Sequence, residues 1–465
     1  MVFGFLKSWV DNRFPENPVK LKLEDDLTLT IPDIIAKKVP ELNKGYSFTP
    51  LFPSGHLQTA YTAINKMEDV DQVHYARRLL TVENKTYNFE DTEAPGGPII
   101  NKLPYDSWEG TSTFTIDYAV SKEVGNDMVG DDEFKPSSQI YDLPPRTKYI
   151  TSSMEKSILD NDKPLIIALH GLSGGSYESY IRAFVNEVTS SEYNFDALVL
   201  NARGCANHTI TSPQLFNGLW TNDLRYLINE HIKPNWPNKK IFLIGFSLGG
   251  AILANYIGQE GSAIYSNIKA VAVMGTPWDF IEGSRHLKSS ILGDKVYSPT
   301  MCQNVLRLLN THYDSQLNIN PIIKAYKDAP QKFQMNRLRD FDELFTSRLF
   351  GLNCADDYYR RASPVQRLWR VRVPTIIVLS LDDPITGGSN GLPQREVDLN
   401  PYVHLVTTSV GGHLGWFTLQ GHRWYPKPLA KLFTELKLTI VVPPSQDELP
   451  LNIDRAWRYD RFVKI

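Results

Sequence analysis

Cysteine is scarce in this chain, and long apolar runs and an excess of one charge are absent. Only Cys205, Cys302 and Cys354 occur in 465 residues. An odd, widely spaced set argues against a disulfide framework and points to a reducing, intracellular and cytoplasmic setting. No metal-ligand spacing appears, so neither a metal nor a cofactor is expected. Lys and Arg number 49 against 52 Asp and Glu, for a net charge of -3 and no basic stripe. Nucleic-acid phosphates would go unneutralised, which excludes that class of partner. No segment reaches the ~20 apolar residues that span a bilayer. The apolar start, Met1 to Val10, is too short for a span and has no basic region before it, unlike a secretory signal. It reads either as a strap packed on the domain or as a shallow contact with a membrane or lipid droplet through Phe3, Phe5, Leu6 and Trp9. No internal repeat is evident.

What the chain does have is Gly245-Phe246-Ser247-Leu248-Gly249. The apolar run Ile241 to Ile244 precedes it, and the helix-like run Ala251 to Ile257 follows. A strand, a Gly-x-Ser-x-Gly turn and a helix predict a nucleophile elbow, in which the turn is so sharp that only glycines fit beside the serine. Ser247 is then presented in a cleft, with helix N–H groups aimed at the reacting centre.

A serine hydroxyl needs a base, and the base needs an orienting acid. In this architecture they follow in the order Ser, Asp, His. The strand-like run Thr375 to Leu379 leads into Ser380-Leu381-Asp382-Asp383-Pro384. Asp383 precedes proline, which favours extended backbone and lets it project from the strand end. Asp382 is the competing candidate or a turn cap, and Asp279, near another strand end, is a third. The base is His413, in the glycine-flanked loop Gly411-Gly412-His413, whereas His404 lies inside an apolar run and reads as structural. The strand Pro164 to Leu169 is followed by His170-Gly171-Leu172, a loop of the kind that supplies one oxyanion N–H. The expected donors are the backbones of Leu172 and Leu248. His170 precedes the serine and is expected to brace its loop, and Cys205 to be a packed small residue.

These residues, with Gly55-His56-Leu57-Gln58-Thr59, Asn201-Ala202-Arg203-Gly204-Cys205 and Thr221-Asn222-Asp223-Leu224-Arg225, carry a resemblance from about Ile31 to Phe433. The chain resembles the yeast-type α/β-hydrolases that include monoacylglycerol lipases and medium-chain fatty acid ethyl ester synthase/esterases. Phe246, Leu248 and Gly415-Trp416-Phe417 look more like the monoacylglycerol-lipase branch. By that similarity the acid is Asp383. The resemblance implies a serine ester hydrolase of lipid-like substrates acting through an acyl-enzyme, with water or a small alcohol as acyl acceptor. An alcohol acyltransferase is the alternative within the same chemistry. A non-catalytic lipid-binding protein is the alternative that an intact Ser247, His413 and acid pair counts against.

The expected fold is α/β, an α/β-hydrolase with a mostly parallel central sheet, a helical cap and an N-terminal extension. Residues 1–160 are expected to form that extension and an antiparallel sheet edge, from alternation such as Phe114 to Val120. Its stretch from Gly125 to Lys148, rich in acids, serine and proline, is expected to be a mobile insertion. Residues 161–279 form the core with the elbow, and 280–365 a helical cap whose apolar runs suit an acyl tunnel. Residues 366–465 complete the core and carry the acid and the histidine.

Overall fold

A computed structural model describes residues 6–23, 26–83, 111–128, 141–213 and 215–444. Its centre is a ten-stranded sheet. In chain order the strands are β1 (Val10–Arg13), β2 (His74–Glu83), β3 (Thr111–Val120), β4 (Thr147–Tyr149), β5 (Leu165–Leu169), β6 (Asp196–Asn201), β7 (Ile241–Phe246), β8 (Ile268–Met274), β9 (Thr375–Ser380) and β10 (Val403–Thr408). Across the sheet they run β1-β10-β9-β8-β7-β5-β6-β3-β2-β4. The stretch from β10 to β6 is parallel. Every residue of β5, β7, β9 and β10 is buried, as continuous apolar runs require when helices cover both faces. Among the helices doing so are Ser179–Val188, Leu248–Glu260 and Pro426–Leu436. Helix Leu248–Glu260 is buried along nearly its whole length and has almost no polar face.

Parallel pairing brings the carboxyl ends of β5 to β10 to one edge of the sheet. Gly245 pairs with Leu169, Phe246 with Met274, Met274 with Val378 and Ser380 with Thr408. The loops that leave those ends carry Leu172, Ser247, Asp383 and His413. That edge is where ligands bind in open α/β sheets.

One expectation needs correction. The segment 1–160 is not one unit at one edge: β1 closes the β10 end, whereas β2, β3 and β4 extend the opposite end beyond β6. β3 is an antiparallel strand, as expected, pairing with both β6 and β2 at that end of the sheet. Its alternation does not mark a solvated face, because Thr115 and Asp117 are as buried as Phe114, Ile116 and Tyr118. Asp117 receives Arg77 through both carboxylate oxygens at 2.6 and 2.7 Å. It also accepts from Ser176 Oγ at 2.5 Å and Asn201 Nδ2 at 2.8 Å. The polar face of β3 therefore grips the loops that follow β5 and β6.

Residues 129–140 of the acidic insertion, like Phe3 and Phe5, lie outside the described residues. Leu6 packs against the main core, and Trp9 is 52% exposed. No helix among the described residues is long and apolar enough to cross a membrane.

Between β8 and β9 the chain leaves the sheet for helices that include Phe280–Ser289, Ser298–Thr311, Pro321–Asp328 and Ala355–Ala362. They build a second apolar cluster from Cys302, Val305, Leu309, Leu317, Ile323, Phe341 and Phe345, with Ile210 and Leu215 from the loop after β6. Helix Ala355–Ala362 and the loop after β6 are both tied to helix Leu248–Glu260. The buried Asn255 donates to the carbonyls of Gly218 and Ala362, each at 2.8 Å.

Candidate active site

Ser247 follows β7 directly, with φ 52° and ψ -120°. A positive φ in a non-glycine residue costs about 1–3 kcal/mol and persists only where the surroundings enforce it. Here the Ser247 N–H donates to the Met274 carbonyl at 2.9 Å, and Thr276 Oγ1 donates to the Ser247 carbonyl at 3.2 Å. The glycines are required by close approach. A Cβ on Gly249 would lie 2.3 Å from the His170 carbonyl oxygen, and one on Gly250 1.9 Å from Thr276 Oγ1.

His413 Nε2 lies 2.9 Å from Ser247 Oγ, and its Nδ1 lies 2.8 Å from Asp383 Oδ2. Asp383 is buried, and its Oδ1 accepts from the backbone N–H groups of Ile385 and Thr386 at 2.8 and 3.3 Å. With a carboxylate at Nδ1, the neutral ring keeps its proton there and offers Nε2 as an acceptor to the serine hydroxyl.

The other acid candidates face elsewhere. Asp382 Oδ1 accepts from Ser380 Oγ at 2.7 Å and from the N–H groups of Gly411 and Gly412 at 3.0 and 2.9 Å. It ties down the histidine loop. Asp279 caps helix Phe280–Ser289, accepting from Ile281 and Glu282 N–H at 3.0 Å each. His170 takes the Ala202 N–H on Nε2 at 3.0 Å, so its Nδ1–H donates to the Gly171 carbonyl at 2.7 Å. Burial pushes its pKa down to about 4, which keeps the ring neutral as a brace between two loops. His404 is buried against Phe14 and hydrogen-bonded to Asn12, its pKa pushed down by burial to about 3. Burial raises the Cys205 thiol far above its ordinary range, leaving it inert.

Leu172 and Leu248 both line the cleft that contains Ser247. Leu248 opens its helix, so its N–H is among those without an intrahelical acceptor. The loop carrying Leu172 passes close to the nucleophile: a Cβ on Gly171 would lie 3.3 Å from the Ser247 Cβ. Gly171 is held by Tyr180, whose hydroxyl accepts its N–H at 2.9 Å.

The residue pattern did not reveal how helix Gly55–Ile64 serves the histidine. Thr59 Oγ1 accepts the His413 N–H at 2.8 Å, and Gln58 Oε1 accepts the Phe417 N–H at 3.1 Å. The only signal was the Gly55-His56-Leu57-Gln58-Thr59 motif, to which spacing alone assigns no role. The Asn201 to Cys205 and Thr221 to Arg225 motifs are likewise supporting structure. Arg203 pairs with Asp223 at 2.7 Å and stacks on Trp220, and Arg225 pairs with Glu260 at 2.7 Å.

The cleft holds about 1230 Å³, its open mouth included. One wall rises from Leu172 with Leu215, Val305 and Phe341, the other from Leu248 with Phe280, Tyr358 and Tyr359. Polar side chains also line it, among them Asn217, Lys288, the Asp294–Arg337 pair, Arg339 and Asp342. Among the described residues no cluster of three or more His, Cys, Asp or Glu is placed to hold a metal ion.

A family model for the alpha/beta hydrolase fold matches residues 164–415. A monoacylglycerol lipase of Saccharomyces cerevisiae is 37% identical over 435 residues, which is 91% of this chain and 89% of that protein. The same organism's medium-chain fatty acid ethyl ester synthase/esterase 2 is 29% identical over 444 residues, covering 91% and 93%. Human phospholipase ABHD3 is 32% identical over 256 residues, covering 55% and 59%.

Proposed function

The chain belongs to the α/β-hydrolase family, and on that footing we propose that it is a serine ester hydrolase of monoacylglycerols. One observation carries the reading: the hydrogen-bonded line from Ser247 through His413 to Asp383 opens into an apolar cleft. In the proposed mechanism His413 Nε2 takes the Ser247 proton as Oγ attacks the ester carbonyl. Asp383 holds the Nδ1–H and stabilises the imidazolium. The N–H groups of Leu172 and Leu248 receive the oxyanion. Collapse of the tetrahedral intermediate transfers the His413 proton to the departing alcohol and leaves an acyl-Ser247. Water, deprotonated by the same imidazole, then releases the fatty acid.

The helices from Phe280 to Val365 form the roof in this reading, and the core on either side of them is the hydrolase proper. A roofed cleft accepts one acyl chain and excludes the two further chains of a triacylglycerol. Each buried CH₂ adds about 0.8 kcal/mol, so kcat/KM should rise with chain length until the cleft is full. The exposed Ile291, Leu292 and Val296 share a segment with the cleft-lining Leu287, Asp294 and Ser298, which suits contact with a lipid surface at the mouth.

The test is a hydrolysis panel of monoacylglycerols, ethyl esters and triacylglycerols on mixed micelles at equal ester concentration. Triacylglycerol turnover equal to that of monoacylglycerols would sink the one-chain proposal. The relation to an ethyl ester synthase/esterase supports a second reading, in which an alcohol intercepts the acyl-enzyme. Varying ethanol in the same panel and measuring the ethyl ester formed decides between the acceptors.

A further inference from the structure

The roof of the cleft holds a carboxyl group that the ester chemistry leaves unused. Asp342 is 7% exposed and lines the same cleft as Ser247. It starts the wide helical turn Asp342–Thr346, which brings Thr346 Oγ1 to its Oδ1 at 2.6 Å. From helix Ala355–Ala362, the Tyr359 hydroxyl donates to its Oδ2 at 2.7 Å. No ion pair to Asp342 is found among the described residues. Arg339, whose charge acts on it, is engaged by Asp356 at 2.6 and 3.0 Å. Burial pushes the Asp342 pKa up to about 6, so near neutral pH it is an ionised group in a largely apolar space.

An ionised carboxylate has roughly four acceptor directions, and the two hydroxyls use two. Covering the remainder with a fatty chain or an ethyl group, neither of which has a donor, would weaken binding on the order of tenfold to a hundredfold. The alcohol half of a glyceryl ester carries free hydroxyls that match them. We propose that Asp342 is the acceptor that selects hydroxyl-bearing alcohol groups, so that glyceryl esters are preferred over simple alkyl esters. This rests on the ester-hydrolase reading of the Ser247 site and adds to it the residue that reads the leaving alcohol.

The experiment measures kcat and KM for monodecanoylglycerol and ethyl decanoate in the wild type and in Asp342→Leu and Asp342→Asn. The ratio of the two kcat/KM values is expected to fall on the order of tenfold or more in Asp342→Leu, chiefly through KM for the glyceryl ester. Ethyl decanoate should be turned over at least as well as before, because the carboxylate that its ethyl group would cover is gone. Asp342→Asn, close to isosteric, should lower the ratio less and carries the test if the leucine variant does not fold. An unchanged ratio in the Asp342 variants overturns the proposal. So does an equal loss on both esters. A wild type that cleaves neither ester overturns the hydrolase reading itself, a result distinct from any of these.

Discussion

Asp382 and Asp383 are adjacent carboxylates, and replacing each by asparagine separates their roles. Asp383 Oδ1 accepts two backbone N–H groups, so in Asp383→Asn the amide oxygen is held at that position. The NH₂ group must then face His413 Nδ1, which can only meet it as an acceptor. The ring proton moves to Nε2, the nitrogen 2.9 Å from Ser247 Oγ, and the base can no longer take the serine proton. Loss of the correct tautomer in a serine protease triad costs about 10⁴ in turnover, or roughly 5 kcal/mol at 1.36 kcal/mol per tenfold. Asp382→Asn has a different consequence. A single oxygen of Asp382 accepts from Ser380, Gly411 and Gly412, and an amide oxygen can keep all three contacts. Only the charge contribution is lost, about 1 kcal/mol or less than tenfold. The assay is steady-state hydrolysis of a soluble short-chain ester, with thermal unfolding run alongside to verify that each variant is folded. An Asp382→Asn defect equal to or larger than that of Asp383→Asn would refute the reasoning, as would an Asp383→Asn enzyme retaining a tenth of wild-type turnover.

Ser247→Ala is expected to lower turnover on the order of 10⁶ and to abolish labelling by a fluorophosphonate; near-normal activity would remove Ser247 from its role. Gly249→Ala puts a methyl group against the carbonyls of His170 and Leu169, so it should lose both stability and activity, and an unchanged melting temperature would contradict that packing. Arg77→Met leaves Asp117 buried without its cation and should cost about 3–5 kcal/mol in a denaturant titration; a loss under 1 kcal/mol would show that the pair is not needed. His170, His208 and His404 have pKa values pushed down by burial to about 4, 3 and 3, so the unfolded chain binds more protons below its own value of about 6.5. Stability is therefore full above that pH and is lost as pH falls, by about 4 kcal/mol for the three together at pH 5.5. The raised Asp342 acts in the opposite sense and returns a smaller part. A denaturation midpoint that does not move between pH 7.5 and 5.5 would count against the buried, neutral histidines.

The features that depend on a few consecutive residues were determined by the sequence alone. The turn around Ser247 is demanded by glycines that meet backbone at less than contact distance. The apolar runs that became β5, β7, β9 and β10 read as buried strands, and their parallel pairing places serine, acid and histidine at one edge. Alternation marked β3 as an antiparallel strand but left its burial open, because it records which residues are polar and not whether water or protein meets them. There the polar residues face Arg77, Ser176 and Asn201. The tertiary structure alone decided how Asp382 and Asp383 divide their work, since neighbouring side chains in an extended segment point apart. Which of them meets an imidazole depends on a loop some 30 residues away. It decided also that Thr59 holds the His413 loop from 354 residues away, and that Asp342 ends under the roof of the cleft. Backbone geometry is a local property and can be read from neighbouring residues. The partner of a buried polar group is set by which strands and helices come to lie side by side, and local pattern carries little of that order.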